Sequence, residues 1–329
     1  MIRIGLIGAG GMARARAKGL ARIAEAQLVA VASRTMENAQ RLAAEHGVRE
    51  VFSHYHELLA SEVDAVIVAT PNDTHYQIVK DALEAGKDVL VECPMVLHSE
   101  RAAEIVRLAE ERQAVVEVGF DTRFHPSDRN FREAVRTGRI GQPLWASAEL
   151  VYSLTYEPEK WYWQQEATRG MMVSWLVERF DLLRRLCGEV ESVFALQAPE
   201  VYAGEMVFQQ QTCVVNLQFR SGAVGVVSAS CLAPPGFRAG VVQVIGKEGG
   251  LWCCMGWQGD TAPTLRLFTP SGEETVGAEA QFDTVAQETG HFVQCVRERT
   301  PTENPPAESL AALRVAEAAV ASVRVGRRD

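Results

Sequence analysis

The sequence predicts an α/β N-terminal domain, a doubly wound parallel sheet, followed by an α+β C-terminal domain built on a mainly antiparallel sheet. Three observations predict it. Strand and helix signals alternate over roughly the first 120 residues. A glycine cluster stands where the first strand hands over to the first helix. After about Phe124 the pattern turns to short β-rich runs separated by glycine turns. A chain of 329 residues is too long for one typical domain and suits two, divided here as 1–122 and 123–329.

The first strand is the apolar run "IRIGLIG", and "GMARARAKGLARIA" behind it has helix-forming composition. "QLVAVAS" is a second apolar run. "TMENAQRLAAEHG" then reads as a helix with Gly47 just past its end. "DAVIVAT", "DVLVECP" and "AVVEVGF" are further short β-rich runs. Between them lie the helical stretches "DTHYQIVKDALEAG" and "SERAAEIVRLAEERQ", the second with Ser99 as N-cap. This alternation argues for a parallel sheet covered on both faces.

In the second half, "LWASAELVYSL", "ESVFALQ", "EMVFQQQTCVVNLQF", "AVGVVSASCL", "GVVQVIGKEGGLWCCM" and "TLRLFTP" read as strands of an antiparallel sheet. Helices are expected at "PSDRNFREAVRTG" and "VSWLVERFDLLRRLCG", and again at "TVAQETGHFVQCVRER" and "AESLAALRVAEAAVASV", the last two separated by "TPTENPP".

The bulk numbers exclude several classes. With 47% hydrophobic and 23% charged residues the composition is that of a globular protein. A net charge of -9 and the lack of a basic block argue against nucleic acid as a partner. No apolar run approaches the roughly 18 residues of a membrane span. The N-terminal stretch reaches its glycine turn within ten residues and lacks the pattern of a secretory leader. Seven scattered cysteines without framework spacing read as reduced thiols, so a cytoplasmic protein is expected. His54 and His56 are too closely spaced, and without further ligands, to suggest a metal site.

Gly8-Ala9-Gly10-Gly11-Met12-Ala13 is G-x-G-x-x-A between a strand and a helix. The first glycine permits the tight turn, the second lets backbone approach a pyrophosphate, and the small third residue lets helix pack on strand. The helix N-terminus offers N–H donors to the phosphates. In that strand–turn–helix setting the motif reads as a Rossmann dinucleotide site; a bare glycine turn is the plain alternative. The second strand ends in Ser33-Arg34-Thr35, where an NAD-binding chain normally carries an acidic residue for the ribose hydroxyls. Arg34 can pair with a 2′-phosphate while Ser33 and Thr35 donate to it, which favours NADP(H), with NAD(H) as the alternative cofactor. An exposed loop arginine is the plain reading of Arg34.

The segments "GLIGAGGMA", "ATPNDTH", "ALEAGKDVLVECPM", "VGFDTRFHP" and "GRIGQP", in that order, resemble the glucose–fructose oxidoreductase / inositol dehydrogenase (Gfo/Idh/MocA) family. The resemblance covers the first 145 residues closely and the remainder more loosely. It implies an oxidoreductase acting on a small molecule, with an open-faced sheet domain through which the chain forms a homodimer or homotetramer. It places Gly8, Gly10, Gly11, Met12 and Ala13 at the pyrophosphate, and Thr70, Pro71, Asn72 and His75 along the cofactor. Glu92, Cys93 and Pro94 stand where the family carries Glu-Lys-Pro, whose lysine hydrogen-bonds the reacting hydroxyl. A lysine gives a cation and three donors, whereas the Cys93 thiol gives one weak donor. Many members also carry Asp-x-x-x-His on the first long helix of the second domain. The matching positions here are Ser174 and Glu178, so lysine, aspartate and histidine are all replaced.

Several residues remain as candidates. Glu178 can act as an acid if burial raises its pKa, or it is a surface glutamate paired with Arg169 or Arg185. Arg179 and Arg169 can bind a substrate carboxylate or be solvated helix arginines. Arg123 matches a family arginine and has a structural alternative. Tyr152, Tyr156, Lys160, Trp161 and Trp163 crowd a short stretch that suits a flat ligand, with packing or an interface as equal explanations. Tyr156 or Lys160 can supply the missing proton, and Cys93 is a conceivable nucleophile. The reading that follows is an NADP(H)-dependent reductase delivering hydride to an imine, a carbonyl or a conjugated substrate. A tetrapyrrole reductase similar to the biliverdin reductases is one alternative, and a silent dinucleotide-binding sensor or subunit is another.

Overall fold

The computed structural model describes residues 1–202, 204, 206–254, 265–276 and 282–326, with side chains to residue 323. The chain divides into two compact units. The first joins Met1–Phe124 with Asp283–Leu310; the second joins His125–Phe282 with Ala311–Asp329. A single cut after residue 122 therefore leaves out a later segment that returns to the first unit.

In the first unit six strands alternate with five helices: β1 (Ile2–Ile7), α1 (Gly11–Leu20), β2 (Ala26–Ala32), α2 (Met36–Glu45), β3 (Glu50–Phe52), α3 (Tyr55–Ala60), β4 (Ala65–Val68), α4 (Asn72–Glu84), β5 (Asp88–Glu92), α5 (Ser99–Arg112) and β6 (Val116–Gly119). The short β3 and α3 carry too little periodicity to be read from sequence. All strand pairs are parallel, in the order β3-β2-β1-β4-β5-β6. The order reverses between β1 and β4, and ligands of such sheets bind at that point, outside the carboxyl ends of the strands. Every residue of β4, β5 and β6 is buried, as a sheet covered on both faces requires. The N-cap of α5 is His98 rather than Ser99, which opens the helix.

The second unit contains α6 (Pro126–Arg136), β7 (Pro143–Val151), the short helices α7 (Gln165–Thr168) and α8 (Met171–Ser174), α9 (Val177–Cys187), and β8 (Val190–Gln197) to β14. The later strands are β9 (Thr212–Phe219), β10 (Val224–Ser230), β11 (Val241–Gly246), β12 (Gly250–Cys254), β13 (Leu265–Thr269) and β14 (Gly272–Val276). Their order is β14-β13-β12-β11-β7-β10-β9-β8, and only the β7–β10 pair is parallel. Ala146, Ala148 and Leu150 alternate inward along β7, toward α9. On the other face the register aligns Phe268, Gly250, Ile245, Trp145 and Val224 in one row across five strands. Two expectations change. The expected strand "EMVFQQQTCVVNLQF" pairs in the sheet only from Thr212, because Gln210 has φ +58 and turns the chain out of extended geometry. The helix "VSWLVERF" breaks between Ser174 and Val177.

Two further helices follow, α10 (Thr284–Glu298) and α11 (Pro306–Gly326). Asp283 caps α10 by accepting from the Ala286 N–H at 3.0 Å. The apolar stripe of α10, with Phe292, Val293, Cys295 and Val296, joins the same core as Ile4, Leu6, Leu20 and Leu42. Contact with α1 is close: a Cβ on Gly19 would lie 3.0 Å from Ala286 Cα. The end of the first unit's core is thus supplied from late in the chain. Phe292→Ala is expected to lower stability by about 3–5 kcal/mol, measured by urea unfolding. A loss below about 1 kcal/mol would show that α10 is not part of this core.

Candidate active site

The glycine turn after β1 is shaped by sterics. Gly8 has φ +116, and a Cβ there would stand 2.0 Å from the Ala69 carbonyl oxygen, so only glycine fits. Its N–H donates to Ala32 O at 2.8 Å. Gly10 and Gly11 differ: a Cβ on either would meet nothing within 4 Å. These glycines therefore border open space and are not needed for internal packing. Gly10 caps α1 without a side-chain acceptor, and no acidic residue stands in the first turn. Ala13 is fully buried and Met12 is 43% exposed. An uncapped helix start beside glycines that leave room for a ligand fits a dinucleotide pyrophosphate.

At the end of β2, Ser33 Oγ accepts the Thr35 N–H at 3.2 Å, and Thr35 is the N-cap of α2. Arg34 and Thr35 are exposed. The strand end presents a cation and hydroxyls and no carboxylate.

Thr70, Pro71 and Asn72 make the corresponding turn after β4. Thr70 Oγ1 lies 2.7 Å from Thr74 Oγ1, which donates to Pro71 O at 2.6 Å. Asn72 is buried as the first residue of α4. His75 is engaged within the first unit. It is fully buried, with Nδ1 2.9 Å from Pro94 O and Nε2 2.8 Å from Thr70 O. Burial lowers its pKa, against the pull of the two carbonyls. Its ring lies between the β4 turn and the β5 turn, and as a neutral imidazole it donates to one of the two carbonyls.

Glu92 is likewise used internally. Arg16 on α1 is fully buried, and its Nε and Nη2 donate to Glu92 at 2.7 and 3.2 Å. Nη2 also reaches Glu288 of α10 at 2.7 Å, and Nη1 reaches Thr289. Burial alone would lower the guanidinium pKa, but the two carboxylates outweigh it and raise it. Burial raises the Glu288 carboxyl well above its ordinary value in spite of Arg16. Nothing local in the sequence marks Arg16 or Glu288, because 76 and 272 residues separate Arg16 from its partners. After Glu92 come a half-buried Cys93 and a cis Cys93-Pro94 bond. None of the seven cysteines is in a disulfide.

Arg123 is 3% exposed, donates to the Glu303 carbonyl and stands 3.8 Å from Glu308. That is a structural tie within the first unit. Arg169, at φ +57, binds Glu317 at 2.7 Å, so its guanidinium serves an ion pair of the second unit. The aromatic stretch packs on itself. Tyr156 stacks on Tyr202 at 4.0 Å and meets Trp163 edge-on, while Trp163 is 1% exposed and donates to Thr155 O. Trp161 and Lys160 are exposed. These contacts give Tyr156 and Trp163 a packing role and offer no flat platform.

Ser174 and Glu178 stand on either side of the helix break, and Ser174 Oγ donates to Thr168 O. The two residues are not on one continuous helix face. Glu178 and Arg179 open α9, side chains 19% and 10% exposed, with Glu178 Oε2 4.0 Å from Arg179 Nη1. Asp128 and Asp181 hold Arg185, joining α6 to α9 and accounting for that arginine without Glu178. Among the described residues, no helix is long and apolar enough to cross a membrane, and no group of three or more potential metal ligands lies together.

Comparison with known proteins agrees with this architecture. Residues 2–120 match the Gfo/Idh/MocA model described as an oxidoreductase family with an NAD-binding Rossmann fold, and residues 129–252 match the GFO/IDH/MocA C-terminal domain. Inositol 2-dehydrogenase of Rhizobium meliloti is 28% identical over 99% of this chain and 98% of its own. Inositol 2-dehydrogenase 4 of Saccharopolyspora erythraea is 30% identical over 80% of each. A levoglucosan dehydrogenase solved in complex with NADH superposes with a TM-score of 0.89 at 20% identity, covering 98% of this chain and 97% of that one.

The buried Arg16 cluster gives a test that separates structure from catalysis. Arg16→Met leaves Glu92 and Glu288 without their cation, which is expected to cost about 3–5 kcal/mol. A carboxyl with a raised folded pKa contributes stability that is present at low pH and lost as pH rises through that pKa. The deficit against wild type, from chemical unfolding, is therefore expected to be larger at pH 8 than at pH 5. A pH-independent deficit would mean that the carboxylates do not carry the effect.

Proposed function

This chain belongs to the Gfo/Idh/MocA family of NAD(P)-dependent oxidoreductases, and on that premise we propose that it is an NADPH-dependent reductase of a small polyhydroxylated carbonyl or imine. The observation that carries the cofactor part is the cradle at the β1–β4 switch point, where Gly10 and Gly11 leave open space at an uncapped helix start. Ser33, Arg34 and Thr35 support the 2′-phosphate form. The polyhydroxylated class is supported by the inositol dehydrogenase names of the relatives. Those names, together with the self-packed aromatic cluster, take support away from a tetrapyrrole substrate.

When bound, the dinucleotide supplies or accepts the hydride. The protein must handle the proton, and the usual lysine is Cys93 here. A half-buried thiol donates weakly and holds no charge unless it is activated. Reduction asks less of such a site than oxidation does, because an imine can arrive already protonated. Glu178 is the proposed acid, since it stands at the position of the family histidine and its side chain is mostly withdrawn from solvent. The loss of lysine, aspartate and histidine at Cys93, Ser174 and Glu178 also supports a second reading, a silent dinucleotide-binding sensor. Exposed Phe194, Leu196, Val214, Val224 and Ile245 on one face of the second sheet support a homo-oligomer.

Fluorescence titration of both cofactors checks the first part. Arg34→Ala is expected to weaken NADPH by about 1.5–3 kcal/mol, roughly 10–100-fold, and to leave NADH unchanged. Equal losses for both cofactors would remove the phosphate role. Glu178→Gln is expected to slow single-turnover reduction about 10²–10⁴-fold with NADPH affinity unchanged. Wild-type rates in that variant would exclude Glu178 as the acid. Tight cofactor binding without reduction of any tested carbonyl or imine would favour the silent reading.

A further inference from the structure

His125 and Arg179 of the second unit end in buried donors with no hydrogen-bond acceptor. His125 is 4% exposed and Arg179 is 8% exposed. His125 Nδ1 accepts the Ser127 backbone N–H at 3.3 Å, and the Ser127 hydroxyl also faces it. A backbone N–H can only donate, so this network places the ring proton of neutral His125 on Nε2. Burial, with the Arg179 guanidinium second, holds the ring neutral by lowering its pKa to about 4. Nε2 is itself buried and has no hydrogen-bond partner. The Nε and Nη1 groups of Arg179 are equally buried and equally without one. Glu178 Oε2 stands 4.0 Å from Nη1, outside hydrogen-bond range. Leu176, the N-cap of α9, brings no side-chain acceptor to the helix start.

Native proteins pair the large majority of buried polar atoms, and each exception calls for an explanation. Here the unpaired set consists of donors only, one of them a guanidinium whose ion pair with Glu178 is loose, at 4.0 Å. The α9 start adds to the same sign. A neutral hydroxyl brings a proton of its own to such a set. A carboxylate brings acceptors alone, in a plane that matches a guanidinium.

We infer that His125 Nε2 and the Arg179 guanidinium bind a carboxylate of the substrate, so that the molecule reduced is a sugar-like or keto acid and not a neutral polyol. This rests on the reductase reading for the word substrate.

The test compares acids with their neutral counterparts. Binding of D-glucuronate against D-glucose, D-gluconate against D-glucitol, and inorganic phosphate is measured by calorimetry, with and without saturating NADP⁺. At least one acid is expected to bind tenfold or more tighter than its neutral partner. Arg179→Met is expected to abolish that preference, and His125→Phe and Arg179→Lys to reduce it. Arg179→Met is also expected to leave the melting temperature of the ligand-free protein unchanged or higher, because it removes a buried charge without a hydrogen-bonded partner. The inference is overturned if neither acid outbinds its neutral partner, if phosphate alone binds, or if Arg179→Met keeps the preference. It is equally overturned if Arg179→Met unfolds the protein, since the guanidinium would then be structural. Cofactor binding is read separately by the NADPH titration, so this failure and that of the reductase reading are distinguishable.

Discussion

A single buried guanidinium, that of Arg16, fixes the geometry of the first unit around its ligand turn. It draws together the helix after the glycine fingerprint, the end of β5 and the late helix α10 through Glu92, Glu288 and Thr289. Asn304 extends the network by donating to Glu288 Oε1 at 2.7 Å. A buried charge is tolerated only where partners and further hydrogen bonds compensate its desolvation, and Arg16 uses three donor nitrogens this way. Space is also constrained: a Cβ on Gly119 would meet Glu92 Oε2 at 2.8 Å and Arg16 Nη2 at 3.0 Å. The glycine that ends β6 leaves room for the ion cluster.

Because Glu92 is held from behind, the residues after it are presented in a defined place. His75 lies against the same turn from the other side, one ring nitrogen near Pro94 O and the other near Thr70 O, and the neutral ring donates to one of the two. The β4 and β5 turns are thus bordered by two polar side chains that are engaged within the first unit. Cys93 lies between them. The position keeps the scaffold that a lysine would occupy in the family pattern, while its own side chain has lost the cation. The first unit thus carries the NAD-binding Rossmann fold of its family, with a thiol directly after Glu92.

The two candidate ligand sites are recognisable by opposite signatures. At the glycine turn, backbone is exposed to open space that a Cβ would not fill against protein, which suits a bulky phosphate held by N–H groups. At His125 and Arg179, buried donors lack acceptors, which suits a small anionic group. Three arginines of the sequence-derived set are matched inside their own unit: Arg169 by Glu317, Arg123 by Glu303, Arg185 by Asp128 and Asp181. The contrast between matched and unmatched polar groups separates candidates that composition alone could not rank.

Local pattern determined the parallel first sheet, the glycine turn and the lack of an acid after β2. Each of these depends on residues within one or two neighbouring elements, where strand periodicity, turn sterics and motif spacing are directly readable. The family resemblance added the order of the matching segments and the departure at Cys93. Tertiary structure alone decided the rest. The internal contacts of Glu92 and His75 came from tertiary structure because their partners lie on other elements, Arg16 at a distance of 76 residues among them. The helix expected through Ser174 and Glu178 broke because the Ser174 hydroxyl turns back to Thr168 and the chain restarts at Val177. The return of α10 to the first core, and the unpaired state of His125 and Arg179, are facts of packing and hydrogen-bond satisfaction. No linear pattern encodes them, since both depend on which distant atoms come within about 3 Å of each other.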